Sequence, residues 1–359
     1  MKPILIVGSG PAGSSCAWRL AVQGVPCILA DRSTFPRAKV CGGALSGRAA
    51  DLLVHTGMLS SLEVEDLTVQ CHSTMTISSD FIRLGTFTEG KPLIRLVDRA
   101  GFDGFLRRRA IEEGAIPLTD NFLGVAHGRA IFKSGKQVEF SRLVGADGAA
   151  SRVRRGIKGV SFRRPCPAYS AVVPLSCGAM APFLEKGLQI FFFRDFTGYG
   201  WVFPRKEDVV TGIGSFGGKA KTAEKLMSRL MVHTGLGNSH CFRGAMLPAG
   251  NQSVATGRGE VLLVGDAAGL CDRVSGEGIS NAVESGFAAA EAIVNDRETW
   301  GMGTNCIKIV RQSMKYRRLL YGKPFRAMAI RALSGSDRWY RKYWNIVSGK
   351  DGYTSLLRK

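Results

Sequence analysis

The stretch ILIVGSGPAGSSCAWRLAVQGVPCILAD, residues 4–31, determines the fold prediction. Apolar residues 4–7 predict a buried strand that breaks at Gly8-Ser9-Gly10-Pro11-Ala12-Gly13, and residues 14–22 have the apolar spacing of a helix. A second strand over residues 26–29 ends at Asp31, an acid about 20 residues after the glycines. Such a turn exposes backbone N–H groups to a pyrophosphate, and the acid accepts hydrogen bonds from a ribose. The spacing predicts a dinucleotide-binding β-α-β unit. A glycine turn that binds nothing and a solvated Asp31 are the plainer alternatives.

Composition excludes several classes of protein. The chain has 359 residues, of which 45% are hydrophobic and 22% charged, so a disordered chain is excluded. The 45 glycines follow no Gly-X-Y period, which excludes collagen and indicates turns and close backbone approaches. The nine cysteines form no Cys-x-x-Cys pair, so we expect neither a disulfide framework nor a metal site. No apolar run reaches the ~20 residues of a membrane span, and the N-terminus lacks the features of a signal peptide. We therefore expect a cytoplasmic location.

The formal net charge of +20 is concentrated in the C-terminal segment. From Lys308 onward the chain has fourteen basic and two acidic residues, interleaved with aromatic residues such as Trp339 and Trp344. This mixture is typical of membrane interfaces, and it also suits a diphosphate-bearing substrate or single-stranded nucleic acid. No nucleic-acid module is recognisable, so we favour peripheral membrane contact through residues 308–359 or a prenyl diphosphate over nucleic acid. A solvated basic helix is the simpler alternative.

The rest of the chain alternates between helical and strand patterns. Residues 62–98 and 160–218 are predicted to be rich in strands, and 99–113 and 278–294 are predicted helices. Two further apolar strands end in Gly145-Ala146-Asp147-Gly148 and in Gly265-Asp266. Ligands of open α/β sheets bind at the carboxyl ends of strands, so these acids are expected at the same site as the N-terminal glycines.

Together these landmarks resemble the flavoprotein monooxygenase superfamily with the para-hydroxybenzoate hydroxylase type of FAD fold. The resemblance implies that Asp266 binds the ribityl chain of FAD, that Asp147-Gly148 lies near its pyrophosphate and riboflavin, and that Arg99 contacts the cofactor. An ordinary surface position is the alternative for Arg99.

The fold expected from this resemblance is α/β. It has a Rossmann-like FAD-binding domain with a parallel sheet and helices, interrupted by a smaller, β-sheet-rich substrate domain and followed by a helical basic segment. The FAD-binding domain is placed at residues 1–65, 96–156 and 250–300. The substrate domain is placed at 66–95 and 157–249, and the basic segment at 301–359.

Two further motifs are similar to the geranylgeranyl reductase family. Phe35-Pro36-Arg37 leads to Cys41-Gly42-Gly43, and Tyr199-Gly200-Trp201-Val202-Phe203-Pro204 matches the family's Tyr-x-Trp-x-Phe-Pro stretch. Flavin halogenases have a related Trp-x-Trp-x-Ile-Pro stretch, from which this chain departs at Tyr199 and Phe203. The family places its cysteine near the flavin, so the resemblance makes Cys41 the catalytic candidate; a buried residue without a role is the alternative.

Tyr199, Trp201 and Phe203 alternate along a predicted strand and therefore share one of its faces. This aromatic stripe suits a long hydrocarbon substrate, and plain sheet core is the alternative. The resemblance further implies that the helix opening at Gly276-Glu277-Gly278-Ile279 directs its N-terminus at the flavin, where it stabilises the charge of the reduced ring. A first-turn acid favoured by the helix dipole is the simpler interpretation of Glu277.

The sequence and its resemblance give a complete set of candidate residues. The expected FAD-binding residues are Gly8, Gly10, Pro11, Ala12, Gly13, Asp31, Arg32, Cys41, Gly42, Gly43, Arg99, Asp147, Gly148, Gly265, Asp266, Gly276, Gly278 and Ile279. The expected substrate residues are Tyr199, Trp201 and Phe203.

The expected activity is FAD-dependent reduction of carbon–carbon double bonds in a polyprenyl, geranylgeranyl-type substrate. No second dinucleotide motif is visible, so the electron donor is open. The resemblance implies NAD(P)H or a ferredoxin-like carrier that docks transiently. One alternative is an FAD-dependent monooxygenase that hydroxylates an aromatic or lipophilic substrate. Another is a flavin-bound binding protein recruited to membranes or nucleic acid through the basic segment.

Overall fold

The computed structural model describes most of the chain, namely residues 2–91, 94–163, 165–217, 220–237, 242–248, 253–301, 304–321, 341, 342 and 345. The strands in chain order are β1 (Ile4–Val7), β2 (Cys27–Asp31), β3 (Ala44–Ser46), β4 (Thr68–His72), β5 (Thr74–Ser79), β6 (Ile82–Thr88), β7 (Ile94–Val97), β8 (Ile116–Thr119), β9 (Phe122–Ala126), β10 (Arg129–Phe132), β11 (Gln137–Glu139), β12 (Arg142–Gly145), β13 (Cys166–Pro174), β14 (Leu188–Phe192), β15 (Gly198–Pro204), β16 (Asp208–Ser215), β17 (Arg243–Leu247), β18 (Gly257–Arg258) and β19 (Val261–Leu263).

The helices surround these strands. They are α1 (Pro11–Val22), α2 (Gly47–His55), α3 (Ser61–Asp66), α4 (Arg99–Glu112), α5 (Arg152–Gly156), α6 (Cys177–Lys186), α7 (Ala220–His233), α8 (Ile279–Val294) and α9 (Asn305–Tyr321), with a 3-10 turn at Gly265–Ala268.

The first layer is a six-stranded sheet in the order β18-β19-β12-β1-β2-β8. Strands β19, β12, β1, β2 and β8 run parallel, so their carboxyl ends meet at one edge. Helices α1 and α8 pack against each other and α4 packs against α1, which covers the apolar strands, as parallel sheets require. The expected Rossmann-like unit is therefore confirmed, and its ligand-binding edge is the edge to which the glycine motifs belong.

The second layer is a seven-stranded sheet in the order β17-β13-β16-β15-β14-β5-β6, antiparallel except for the β14–β5 pair. One face is covered by α7, whose Met227 and Leu230 share a buried cluster with Val202 and Ile213. The opposite face carries Ile190, Trp201, Phe203 and Phe216 in a second cluster. This is the β-rich part expected from the sequence; the domain boundaries given above stay predictions.

Two small sheets complete the fold. Strands β11-β10-β9 form one, and β3-β7-β4 form the other. In the second, the amide of Val97 donates to the carbonyl of Gly43 at 2.9 Å, which fixes the loop that carries Cys41.

Two strand predictions are wrong in part. Residues 177–186, inside a segment predicted as strand, form α6, and residues 62–66 belong to α3. Of the predicted basic segment, the structure describes α9 and residues 341, 342 and 345. The predicted membrane contact therefore falls largely on residues outside the described part of the chain. Within the described part, no helix is both long and apolar enough to cross a bilayer.

Candidate active site

A cavity of about 850 Å³ lies between the carboxyl edge of the six-stranded sheet and the aromatic face of the seven-stranded sheet. The structure brings together at this cavity most of the residues that the sequence indicated. Lining it are Gly8, Gly10, Pro11, Ala12, Asp31, Arg32, Cys41, Gly42, Arg99, Asp147, Gly148, Tyr199, Trp201, Phe203, Asp266, Gly276, Gly278 and Ile279. Gly13, Gly43 and Gly265 do not line it.

Those three glycines shape the walls instead. A Cβ on Gly13 would lie 1.8 Å from the carbonyl oxygen of Gly8, so the glycine allows α1 to pack directly on the turn after β1. Gly43 and Gly265 have φ values of +76° and +54°, which side chains rarely adopt. These glycines therefore shape the loops beside the cavity, and their expected contact with the cofactor stays a prediction.

The turn after β1 and the start of α1 lie at the cavity. Gly8 has φ +107°, and a Cβ there would lie 2.3 Å from the carbonyl oxygen of Ala146, so this turn and the Asp147 loop are in direct contact. Among the described residues, no side chain caps the N-terminus of α1 at Gly10, and Gly10, Pro11 and Ala12 all line the cavity. The positive end of α1 therefore faces the cavity, as anion binding requires.

Asp31 connects two loops at the end of β2. Its Oδ2 accepts from the amide of Ser9 at 2.7 Å and its Oδ1 from the amide of Ser33 at 2.9 Å. The carboxylate is therefore anchored to the backbone rather than freely solvated, and it still lines the cavity beside Arg32.

The carboxylate of Asp147 accepts hydrogen bonds from residues of its own loop. Oδ1 accepts from the Ser151 hydroxyl at 2.5 Å, and Oδ2 accepts from the amides of Arg152 and Val153 at 2.6 and 3.2 Å. Burial raises the pKa of Asp147, although these hydrogen bonds lower it. The side chain thus fixes the loop, and Gly148, with φ +78°, turns the backbone along the cavity.

Asp266 and the start of α8 form the opposite wall. Asp266 lines the cavity, with Lys39 Nζ 4.0 Å from its Oδ2. No side chain of the part of the chain that the structure describes caps α8 at Gly278, so a second helix N-terminus faces the same space. A Cβ on Gly276 would lie 2.6 Å from the Tyr199 hydroxyl, which donates to the carbonyl of Ser275 at 2.5 Å. This tyrosine fixes the turn before α8 to the second sheet.

Arg99 is buried, so the interpretation as an ordinary surface residue is wrong. Its Nε and Nη2 donate to the two carboxylate oxygens of Asp103, each at 2.8 Å, and Arg37 lies 3.4 Å from the same carboxylate. Arg99 also interacts with the half-buried thiol of Cys41, which accepts from the amide of Gly43 at 3.4 Å. The FPR stretch, Arg99 and Cys41 therefore form one connected part of the wall.

The aromatic stripe belongs both to a buried cluster and to the cavity lining. Trp201 and Phe203 are 7% and 8% exposed, and their ring centroids are 6.4 Å apart. A Cβ on Gly42 would lie 2.7 Å from the Phe203 ring and 3.2 Å from Trp201 Nε1, so the cysteine loop rests on these rings. The buried Nε1 donor of Trp201 has no hydrogen-bond partner among the described residues. These aromatic side chains thus belong both to the core of the sheet and to the wall of the cavity.

Sequence reasoning missed the partners of Glu277. Its Oε1 accepts from Ser46 at 2.6 Å and from Ser280, and Arg48 lies 3.6 Å from its Oε2. Arg48 also donates to Glu284 at 2.9 Å. Glu277 and Ser46 both line the cavity, so a buried polar network lies at the start of α8. No local motif marks Ser46 or Arg48, because more than 200 residues separate them from Glu277.

The donor set fits FAD. Two helix N-termini at the cavity, the glycine turn after β1 and an anchored acid after β2 suit a pyrophosphate and a ribose. The aromatic wall adjoins the start of α8 through Tyr199. Among the described residues no cluster of His, Cys, Asp and Glu could hold a metal ion.

Comparisons with known proteins agree with this geometry. A family model described as FAD binding domain matches residues 1–173. The chain is 30% identical over 314 residues to geranylgeranyl diphosphate reductase of Rhodobacter capsulatus, covering 80% of this chain and 73% of that one. It is 28% identical over 316 residues to menaquinone reductase of Mycolicibacterium smegmatis, covering 81% and 76%.

A solved structure shows the same fold over nearly the whole length. It is described as a geranylgeranyl bacteriochlorophyll reductase-like protein from Thermoplasma acidophilum, with a TM-score of 0.74 and 20% identity, covering 99% of this chain and 97% of that one. The chain therefore belongs to the geranylgeranyl reductase family and is an FAD-dependent oxidoreductase with the monooxygenase-like fold.

Proposed function

We propose that this protein reduces isolated carbon–carbon double bonds of a polyprenyl chain. The observation that carries the proposal is that the aromatic wall and the dinucleotide-binding turns line one continuous cavity. A flexible apolar chain gains free energy by leaving water for this wall, at about 25 cal/mol per Å² of buried apolar surface. Of the relatives, one is named for geranylgeranyl diphosphate and another for menaquinone. These names support the substrate class.

The residues of the chain divide the work between binding and positioning. FAD, when bound in its reduced form, supplies the hydride. The positive ends of α1 and α8 favour negative charge at the cavity. Trp201 and Phe203 provide the apolar surface on which the prenyl chain packs inside the cavity. The Cys41–Gly43 loop packs on their rings and excludes water from that side of the cavity.

The predicted site residues remain proposals in their individual roles. Arg99 acts through Cys41 and Asp103, so we assign it to positioning rather than to chemistry. Tyr199 donates its hydroxyl to Ser275 and holds the turn before α8. The electron donor is proposed to be NAD(P)H or a ferredoxin-like carrier.

Product analysis with and without oxygen tests the proposal. The purified protein is reduced with dithionite under nitrogen, mixed with geranylgeranyl diphosphate, and the product is examined by mass spectrometry. We expect a product that has gained two hydrogen atoms per double bond in the absence of oxygen. A product that forms only with oxygen, and that has gained an oxygen atom, would show a hydroxylase instead.

A further inference from the structure

The cavity continues beyond the aromatic wall across the second sheet. Strand pairing aligns Ile190, Trp201, Gly212, Ser170 and Arg243 in one row across β14, β15, β16, β13 and β17. Directly paired residues of antiparallel strands share a face, so all of these positions are on the face that carries the aromatic wall. The row leads from Trp201 to Arg243 on the edge strand.

The residues between Trp201 and Arg243 are small, although Gly212 and Ser170 of the row itself do not line the cavity. A Cβ on Gly212 would lie 2.2 Å from the Trp201 ring, so the indole occupies the space beside this glycine. In the neighbouring row, Gly214, Ala168 and Ala245 line the cavity. We call this surface of mostly small residues between Trp201 and Arg243 the trough; Leu247 and Trp201 flank it at Gly214.

The outer end of the trough opens to solvent at β17. All five residues of this strand line the cavity, and the side chain of Met246 is 54% exposed. Arg243 is exposed, and among the described residues of the seven-stranded sheet it is the only charged one in the cavity lining. The acidic lining residues, such as Asp31, Asp147 and Asp266, come from elements of the first sheet or the loops that follow its strands. The trough therefore runs from an apolar inner end to a cationic mouth.

We propose that Arg243 binds the phosphate ester head group of the prenyl substrate, with the prenyl chain lying along the trough toward Trp201. A guanidinium binds phosphate oxygens through two parallel N–H donors, which fits an anionic head group and not a neutral one. This inference rests on the proposed function and names the end by which the substrate is held.

The row also sets a distance. Three strand spacings separate Trp201 from Arg243, which amounts to about 14 Å. A head group held at Arg243 therefore fixes how far along the chain the double bond beside Trp201 lies, and Arg243 becomes a specificity-determining residue for the position of reduction.

Ligand binding to the oxidised FAD-containing protein tests this inference. Dissociation constants are measured from the change in flavin absorbance for geranylgeranyl diphosphate, for digeranylgeranylglycerol phosphate and for uncharged geranylgeraniol. Arg243→Gln should weaken binding of at least one phosphate ester by about tenfold or more and leave geranylgeraniol within about twofold. The ester that is affected identifies the source of the head group. Arg243→Lys should bind the affected ester more tightly than Arg243→Gln does and less tightly than the wild type does, since lysine keeps the positive charge.

The matched control is Arg83→Gln, which removes an exposed arginine from β6, the opposite edge strand of the same sheet. It should change none of the three dissociation constants.

Equal affinities of the wild type and Arg243→Gln for both esters would overturn the inference. A loss of affinity for geranylgeraniol as large as the loss for the esters would also overturn it. If the wild type reduces geranylgeraniol, and Arg243→Gln prefers the phosphate esters over geranylgeraniol as strongly as the wild type does, only the head-group assignment fails. If the wild type neither binds nor reduces a prenyl compound, the proposed function fails and the inference falls with it.

Discussion

The cysteines of this chain differ in their exposure to solvent and in the pKa of their thiols. Cys71 and Cys177 are exposed, and Cys41 is half-buried at the cavity. Burial raises the pKa of the Cys27 thiol to about 11 and that of Cys306 to about 12, and it also raises the pKa of Cys16 and Cys271. Since the thiolate is the reactive form, these four thiols are protected both by access and by protonation.

Alkylation of Cys41 should therefore report on the cofactor. With N-ethylmaleimide at neutral pH, Cys71 and Cys177 should react whether or not FAD is bound. Cys41 should react in the FAD-depleted protein and be protected when FAD is restored, because it lines the same cavity. Peptide mass mapping measures each site. Equal labelling of Cys41 in both forms would place the flavin away from this loop.

At the scale of elements, the β1–α1 turn depends on one glycine that does not itself face the cavity. Gly13→Ala would place a methyl group 1.8 Å from a backbone oxygen, which forces α1 away from β1. We expect a loss of about 1–3 kcal/mol in the free energy of unfolding and a lower ratio of FAD to protein. Denaturant unfolding and flavin absorbance measure the two effects.

Gly47→Ala is the control for this prediction. Gly47 begins α2, and a Cβ there meets no atom within 4 Å. This variant should keep wild-type stability and FAD content. The account of the turn would be wrong if Gly13→Ala behaved in the same way as the control.

Phenylalanine substitutions on the two faces of the seven-stranded sheet should affect activity differently. Phe203 faces the cavity, and Phe191 lies in the cluster under α7, with exposures of 8% and 3%. Phe203→Leu and Phe191→Leu should each cost about 1 kcal/mol of stability. Only Phe203→Leu should also lower kcat/KM for the prenyl substrate several-fold, because it alone touches the cavity. Steady-state kinetics decides, and equal effects of both variants on kcat/KM would refute the aromatic wall.

Local patterns predicted only part of the elements, and no prediction was made for α2, α5, α7 or the strands β8–β11. The β-α-β unit and α8 follow from strong apolar runs and glycine signals, and the structure confirms them. Helix α6 was missed because Gly178 and Pro182 interrupt a helical pattern. Helix α3 has only six residues and depends on a capping box between Ser60 and Glu63, which is a weak signal beside the strands that follow it.

At the scale of the whole molecule, the sequence predicted that separate strand ends converge but not how the second sheet meets them. The contacts that join the layers are long-range ones, such as Gly42 on Phe203 and Tyr199 on Ser275. The row from Trp201 to Arg243 exists only through strand pairing, because β17 lies next to β13 and not next to the strand before it in the chain. Register of this kind is fixed by tertiary packing and is invisible to local periodicity.

The central claim is that one cavity holds the flavin and a prenyl chain in contact. Single-turnover mixing tests it most directly: protein with reduced FAD is combined anaerobically with geranylgeranyl diphosphate, and flavin absorbance is followed with time. The account predicts that the oxidised spectrum returns at a rate that saturates with substrate concentration, with one double bond lost per FAD oxidised. A spectrum that stays reduced until oxygen is admitted would contradict it.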